Sequence, residues 1–274
     1  CKLVYDTHEL ETETATLGGA RKRLTKKLER KYLERCDAVS VVSEGIAEWY
    51  QREYSLPHVW TVKNFPYRRA AGTPAGDELK RHCGLREGET LFLYQGLLSL
   101  GRGIELMLRV FANAKPDKHL VLMGYGDYEA LVREYAGKHP NIHFHPAVKP
   151  EEVARFTAGA DVGLSLIENV CLSYYHSLPN KLFEYLNAGL PVIVSDFPDK
   201  GALVEAHQCG WRVEVSEKAL AAAIRGISTE DLTRKRDNAL EWARSHTWET
   251  EEDTLVRMYS ELFPGIATSR GAVP

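Results

Sequence analysis

Short apolar runs recur along this chain, and between them lie stretches whose apolar residues fall at helical spacing. The runs are KLVY at 2–5, DAVSVVS at 37–43, HVWTVKN at 58–64, LFLY at 91–94, HLVLM at 119–123, IHF at 142–144, DVGLSL at 161–166, PVIVS at 191–195 and WRVEV at 211–215. Such short, largely β-branched runs suit strands buried on both faces of a parallel sheet. The intervening segments predict helices. Residues 20–35 carry Leu24, Leu28 and Tyr32 at every fourth place, and Ser43 is placed to cap a helix from Glu44. Further helices run through Ile104, Met107, Leu108 and Phe111, through Leu131, Val132 and Tyr135, and from Pro150. The last four are Leu182–Ala188 closed by Gly189, one from about Lys200, Lys218–Ile227, and Glu249–Leu262 with Leu255, Met258, Tyr259 and Leu262 as its apolar positions.

Strands alternating with helices imply an α/β fold with parallel sheets covered on both faces, here in two Rossmann-like units. Residues 68–77 (RRAAGTPAGD) have the composition of a linker and put the join near residue 75. The expected organisation is a partial first unit at 1–72, a second unit at 73–246, a C-terminal helix within 247–266 and a disordered tail at 267–274. The first residue is Cys1 and KLVY reads as a buried strand, so the chain is expected to begin in mid-domain.

Composition mainly excludes. A net charge of −3 gives no overall drive towards nucleic acid. No apolar run approaches the roughly 18 residues of a membrane span, and no signal peptide is evident, so a cytoplasmic location is expected. Cys1, Cys36, Cys83, Cys171 and Cys209 are scattered without a C-x-x-C pair, which suggests neither a disulfide framework nor a zinc site; Cys83 and Cys209 read as small buried hydrophobes. Residues 20–35 depart from the average, with eight Lys or Arg against two Glu. A basic amphipathic helix of this kind suits peripheral contact with an anionic membrane, at its inner face. The simpler expectation is a solvated helix docked on its sheet by Leu24, Leu28 and Tyr32.

The candidate chemistry centres on Tyr174–Asp196, a loop, helix, glycine and strand. Pro179 is read as a first-turn residue, which leaves neighbouring backbone N–H groups free to hold an anion, most naturally a diphosphate. Lys181 adds a positive charge there, and Glu184, one turn on, suits a ribose diol. Gly101-Arg102-Gly103 is a second place where backbone and guanidinium can meet a phosphate. Gly124-Tyr125-Gly126 lacks the third glycine of a dinucleotide fingerprint, Glu129 standing there, and is read as a tight turn near a nucleotide. Asp6-Thr7-His8-Glu9 are polar groups at the end of a parallel strand, where open α/β sheets bind ligands, or else a capping turn.

The run Asn180-Lys181-Leu182-Phe183-Glu184-Tyr185, followed by Ala188-Gly189-Leu190-Pro191-Val192-Ile193, resembles the donor-binding segment of GT-B glycosyltransferases, in particular the large retaining family 4. The resemblance implies transfer of a sugar from a nucleoside diphosphate sugar, of the UDP or GDP type, to a glycan, lipid-linked or other acceptor, with retention and with no metal or other cofactor. It makes Glu184 the ribose ligand, and it gives Arg102 and Lys181 the leaving diphosphate. His8 and His176 would border the transferred sugar, His176 standing where the family usually has a glutamate, with Glu168 as the alternative. Gly96, Gly103, Gly124, Gly126 and Asn180 would face the donor, and His145-Pro146-Ala147-Val148 would pass the base through its backbone. Leu97 stands where the family often has a second basic residue. The final helix would cross back onto the first domain. That domain normally begins with further strand and helix units, which this sequence lacks, so a nucleotide-sugar-binding fragment without turnover and a GT-B-fold epimerase are the alternatives.

Overall fold

The computed structural model describes residues 1–68 and 76–264. Most of the expected linker and all of the expected tail lie outside the described residues.

The first part of the chain builds β1 (Val4–Asp6), α1 (Gly19–Leu33), β2 (Ala38–Val41), α2 (Glu44–Tyr54) and β3 (Trp60–Thr61). Its sheet is parallel, in the order β1-β2-β3. After α3 (Glu78–His82) comes a longer alternation: β4 (Thr90–Leu97), α4 (Ile104–Ala112), β5 (Lys118–Tyr125), α5 (Glu129–Lys138), β6 (Ile142–Pro146) and α6 (Pro150–Thr157). It continues with β7 (Val162–Ser165), α7 (Leu172–Tyr175), α8 (Asn180–Asn187), β8 (Val192–Ser195), α9 (Pro198–His207), β9 (Gly210–Val213), α10 (Glu217–Gly226) and α11 (Thr229–Ser245), and α12 (Trp248–Leu262) ends it. The second sheet is parallel throughout, in the order β6-β5-β4-β7-β8-β9. Counted within the sheet this is 3-2-1-4-5-6, the dinucleotide-binding order, whose switch point lies between β4 and β7.

The period of two predicted for buried strands is visible in the packing. Leu91, Leu93, Val121, Met123, Val192 and Val194 enter one apolar cluster, which α8 and α11 cover. Phe92, Tyr94, Leu120, Leu122 and Ile193 enter the opposite one, which α4 and α10 cover. A third cluster, around Tyr50, Ile46 and Val41, serves the small sheet.

Several contacts tie the small sheet to the large one. The Phe65 ring meets those of Phe183 and Trp242 edge-on, at centroid distances of 4.8 and 5.3 Å. The Gly45 amide donates to Asp199 Oδ1 at 2.9 Å, and Ser43 Oγ, besides capping α2, donates to His176 O at 3.1 Å. The helix α12 reaches the small sheet as well. The Trp248 amide donates to Pro66 O at 3.0 Å, the Lys63 amide donates to Glu251 Oε2 at 2.8 Å, and Met258 is buried.

Four expectations need correction. First, β1 is a half-exposed edge strand that starts two residues later than KLVY, because only one of its sides has a partner strand. Second, the stripe of α1 faces outward: Leu24, Leu28 and Tyr32 are 59, 46 and 58% exposed, and Leu33, half a turn away, is the buried residue. Polar anchors decided that phase. Glu29 accepts the hydroxyls of Tyr5, Tyr50 and Tyr54, Lys26 lies over the Trp49 ring at 5.1 Å, and Lys22 pairs with Glu13 at 2.5 Å. Third, α11 was not expected; its polar sequence buries only Lys235, Ala239, Trp242 and Ala243. Fourth, Pro179 is the extended residue before α8 rather than part of its first turn.

Candidate functional site

A cleft of about 510 Å³ opens at the C-terminal ends of β4 and β5, with the small sheet's loops as its far wall. It sits at the switch point, where an open sheet leaves room for a ligand, and its size is that of a small-molecule site.

Three elements build the near wall. The first is the end of β4, where Gly96 has φ +114° and pairs in register with Gly124 on β5. A Cβ on Gly124 would lie 1.9 Å from Gly96 O, so the two backbones approach as only glycine allows. The second is the turn before α4. There the Arg102 guanidinium stacks over the Tyr174 ring at 5.0 Å, and its Nε is buried without a hydrogen bond among the described residues. The third is α8, which carries Lys181 and Glu184 and is seated by the buried Tyr185. The Tyr185 hydroxyl accepts from the Gln95 amide at 2.9 Å, and its ring fills the space that a side chain on Gly163 would need.

The head of α8 offers donors. Leu182 N bonds to Pro179 O at 2.9 Å, whereas the amides of Asn180 and Lys181 make no hydrogen bond among the described residues. Lys181 Nζ lies 3.7 Å from the centroid of Tyr94. Burial holds its pKa well below the ordinary lysine value; the Arg102 charge acts in the same direction, and Glu184 opposes them. For Glu184 burial raises the pKa, while a hydrogen bond from Gln95 Nε2 to Oε2 and the nearby Lys181 pull it back. The near wall thus gathers positive charge at Arg102 and Lys181, with the Glu184 carboxylate one helical turn on, and Glu9 lines the cleft from the opposite wall.

Val148 and Ala147 line the same cleft beyond Gly124. His8 lines it from the small sheet, its Nδ1 3.3 Å from Asn64 Nδ2. Of the residues expected from the sequence, Gly96, Arg102, Gly124, Val148, Asn180, Lys181, Glu184 and His8 therefore meet around one space. Gly103 and Gly126 stand behind it. Gly103 precedes α4 with φ +69° against Leu166, and Gly126 turns with φ +140° against Leu98.

His176, expected to border the transferred sugar, is not among the residues that line this cleft, although Tyr174 and Ser177 on either side of it are. Its Nδ1 lies 3.3 Å from Asp199 Oδ2, and it lines a separate cleft of about 670 Å³ between α2 and α9. The backbone of α7 and the Ser43 bond to its carbonyl hold it there. Glu168 does not line the ligand cleft either; its amide is fixed to Gly101 O at 2.9 Å.

The sequence reading passed over two groups. Gln95 is a buried side chain that touches Glu184. Lys200 is fully buried behind the loop at 174–177, with Nζ 3.4 Å from Tyr174 O and 3.3 Å from Ser177 Oγ. Burial lowers its pKa to about 7, with Asp199 opposing and Arg102 adding to the shift. Nothing in its local sequence marks it out from a solvated lysine. Among the described residues no three His, Cys, Asp or Glu side chains converge as a metal site.

Solved structures share this architecture. Sucrose-phosphate synthase from Thermosynechococcus elongatus matches with a TM-score of 0.78 at 23% identity, over 95% of this chain and 68% of that one. WaaG, a glycosyltransferase involved in lipopolysaccharide biosynthesis, matches at 0.71 and 17% over 96% and 75%. HepE from Anabaena, solved with UDP and glucose, matches at 0.75 and 16% over 95% and 72%. A search of curated proteins gave no match. The two facing parallel sheets with a cleft between them are thus the GT-B frame of glycosyltransferases. The family profile described as glycosyl transferases group 1 matches residues 89–230, more than half of the chain, and the chain belongs to that family.

Proposed function

We propose that this protein transfers a sugar from a nucleoside diphosphate sugar, of the UDP or GDP type, to a sugar or lipid-linked acceptor, with retention at the anomeric carbon. One observation carries the reading: Arg102, Lys181, two unbonded helix amides and Glu184 share a single cleft at the switch point. Arg102 and Lys181, with the amides of Asn180 and Lys181, neutralise the charge that builds on the departing diphosphate, commonly the largest catalytic contribution. Glu184 accepts the ribose hydroxyls, Val148 and Ala147 pass the base, and His8 borders the sugar from the opposite wall. In this reading residues 73–246 form the donor side and 1–72 the acceptor side, with the helix within 247–266 crossing between them. The UDP and glucose held by HepE favour a UDP sugar. No resident metal is involved, so transfer is expected to be indifferent to a chelator.

An anionic membrane as the place of the acceptor is supported by α1, whose outward face combines Leu24, Leu28 and Tyr32 with Arg21, Lys27 and Lys31, and by the exposed Arg35 just past its end. None of these four cations has an acidic partner among the described residues. Among the same residues no helix is long and apolar enough to cross a membrane.

Calorimetric titration with UDP, GDP and ADP tests the donor site. One nucleotide is expected to bind, and Lys181→Ala and Glu184→Ala are each expected to weaken it by about 1–3 kcal/mol. A folded chain that binds none of the three, or whose binding both substitutions leave unchanged, would overturn the reading.

A further inference from the structure

We propose that Gln95, held in turn by Thr157, is a positioning residue that orients the Glu184 carboxylate towards the ribose diol of the donor. The inference rests on the donor-site reading above and assigns a role to Gln95, which lines the cleft, and to Thr157, which stands behind it. Gln95 is the last buried residue of β4, 3% exposed, and Thr157 closes α6 with no exposure at all. The Gln95 backbone is fixed by its bond to the Tyr185 hydroxyl. Its side chain spans the gap between two elements: Oε1 accepts from Thr157 Oγ1 at 2.7 Å, and Nε2 donates to Glu184 Oε2. Glu184 Oε1 has no hydrogen bond among the described residues. The carboxylate therefore has one oxygen bound behind and one left to accept from the cleft.

The hydroxyl of Thr157 has a single proton and two acceptors at 2.7 Å, Gln95 Oε1 and Val153 O. When the proton points to Gln95, the amide is locked with its NH2 group towards Glu184, and that arrangement favours an ionised carboxylate, the stronger acceptor. When it points to Val153, the amide can turn its carbonyl to Glu184, and the pair is then satisfied only if the carboxyl is protonated. The buried relay thus ties the orientation of an amide to the charge of the group that reads the diol. A carboxylate in that state accepts from two hydroxyls and has nothing to accept from a ribose that lacks them.

The test compares UDP with 2′,3′-dideoxy-UDP, and GDP with its dideoxy counterpart, on the wild-type chain and on Gln95→Leu and Thr157→Val. Gln95→Leu is expected to weaken the ribonucleotide about tenfold, the loss of one well-placed hydrogen bond, and to leave the dideoxynucleotide unchanged. Thr157→Val should move the ribonucleotide a few-fold in the same direction. In Gln95→Leu the pH at which ribonucleotide affinity is lost should also move upward, because Glu184 loses the donor that favours its ionised form. Equal weakening of both nucleotides, or none with the ribonucleotide, would overturn the positioning role while the wild-type binding kept the donor-site reading. Failure of the wild-type chain to bind either ribonucleotide would overturn both.

Discussion

Lys181 Nζ stands 3.7 Å from the centre of the Tyr94 ring, on the side of the cleft where Arg102 also lies. An aromatic face stabilises a cation, but burial and the second cation work against it, and together they depress the lysine's pKa well below its ordinary value. A diphosphate arriving beside it reverses the balance and favours the ammonium.

Nucleotide binding at pH values above the depressed lysine pKa is therefore expected to take up a proton. Affinity should fall as pH rises through the depressed pKa, because the neutral amine loses its charge attraction. Calorimetry in buffers of different ionisation enthalpy measures the uptake directly. The uptake should vanish in Lys181→Ala; if it persists there, the titrating group is another one, with Lys200 the first to examine.

Glu184 has the opposite sign. Burial raises its pKa, so the carboxylate is lost as pH falls through a value above the ordinary carboxylate range. Ribonucleotide affinity should decline over that acidic interval, and Glu184→Gln should be weak and flat across it. A wild-type affinity independent of pH down to the ordinary carboxylate range would show that Glu184 does not read the diol.

The contact between His176 and Asp199 lies within the larger unit, and both residues also reach across to α2 of the smaller one, His176 through its carbonyl to Ser43 and Asp199 through Gly45. Asp199 Oδ1 accepts the Gly45 amide near the head of α2, and Oδ2 faces the imidazole. Asp199→Ala should lower stability by about 1–2 kcal/mol, as for a lost helix cap, with nucleotide affinity within about twofold of wild type. Thermal unfolding followed alongside titration separates the two effects. A large loss of affinity with unchanged stability would return His176 to the ligand.

For α1 the outward cations and apolar side chains predict binding to vesicles that contain anionic phospholipid and little binding to neutral ones. Each cation near such a surface contributes about 1 kcal/mol, so Lys27→Glu with Lys31→Glu should cost at least about 2 kcal/mol. Leu24→Ser with Leu28→Ser should weaken the same binding without affecting nucleotide titration. Vesicle co-sedimentation reads both, and equal binding to neutral and anionic vesicles would count against the surface.

The alternation of strands and helices was legible because strands buried on both faces must be apolar throughout, and runs such as VIV or LFL are short, bounded by turns and rich in β-branched or aromatic residues. The donor-side residues were legible for a similar reason: Asn180, Lys181 and Glu184 stand within one helical turn and a half, so their sequence spacing already fixes their relative directions. Helix α11 was not legible, since a helix that buries little beyond Ala239, Trp242 and Ala243 has almost no apolar period to detect. The phase of α1 was misread because a rule that weighs only hydrophobicity is blind to Glu29 collecting three tyrosine hydroxyls.

Local order along the chain, then, determined the α/β class, the strand set, and the cation and carboxylate of the α8 head, because each depends on neighbours a few residues away. The tertiary structure alone decided that Gln95 meets Glu184 across a sequence gap of 89 residues, that His176 turns to Asp199, and that Leu24, Leu28 and Tyr32 face outward. Those outcomes depend on which distant groups compete for the same buried space or hydrogen bond, and the competition takes place only after the sheets have formed and the helices have docked.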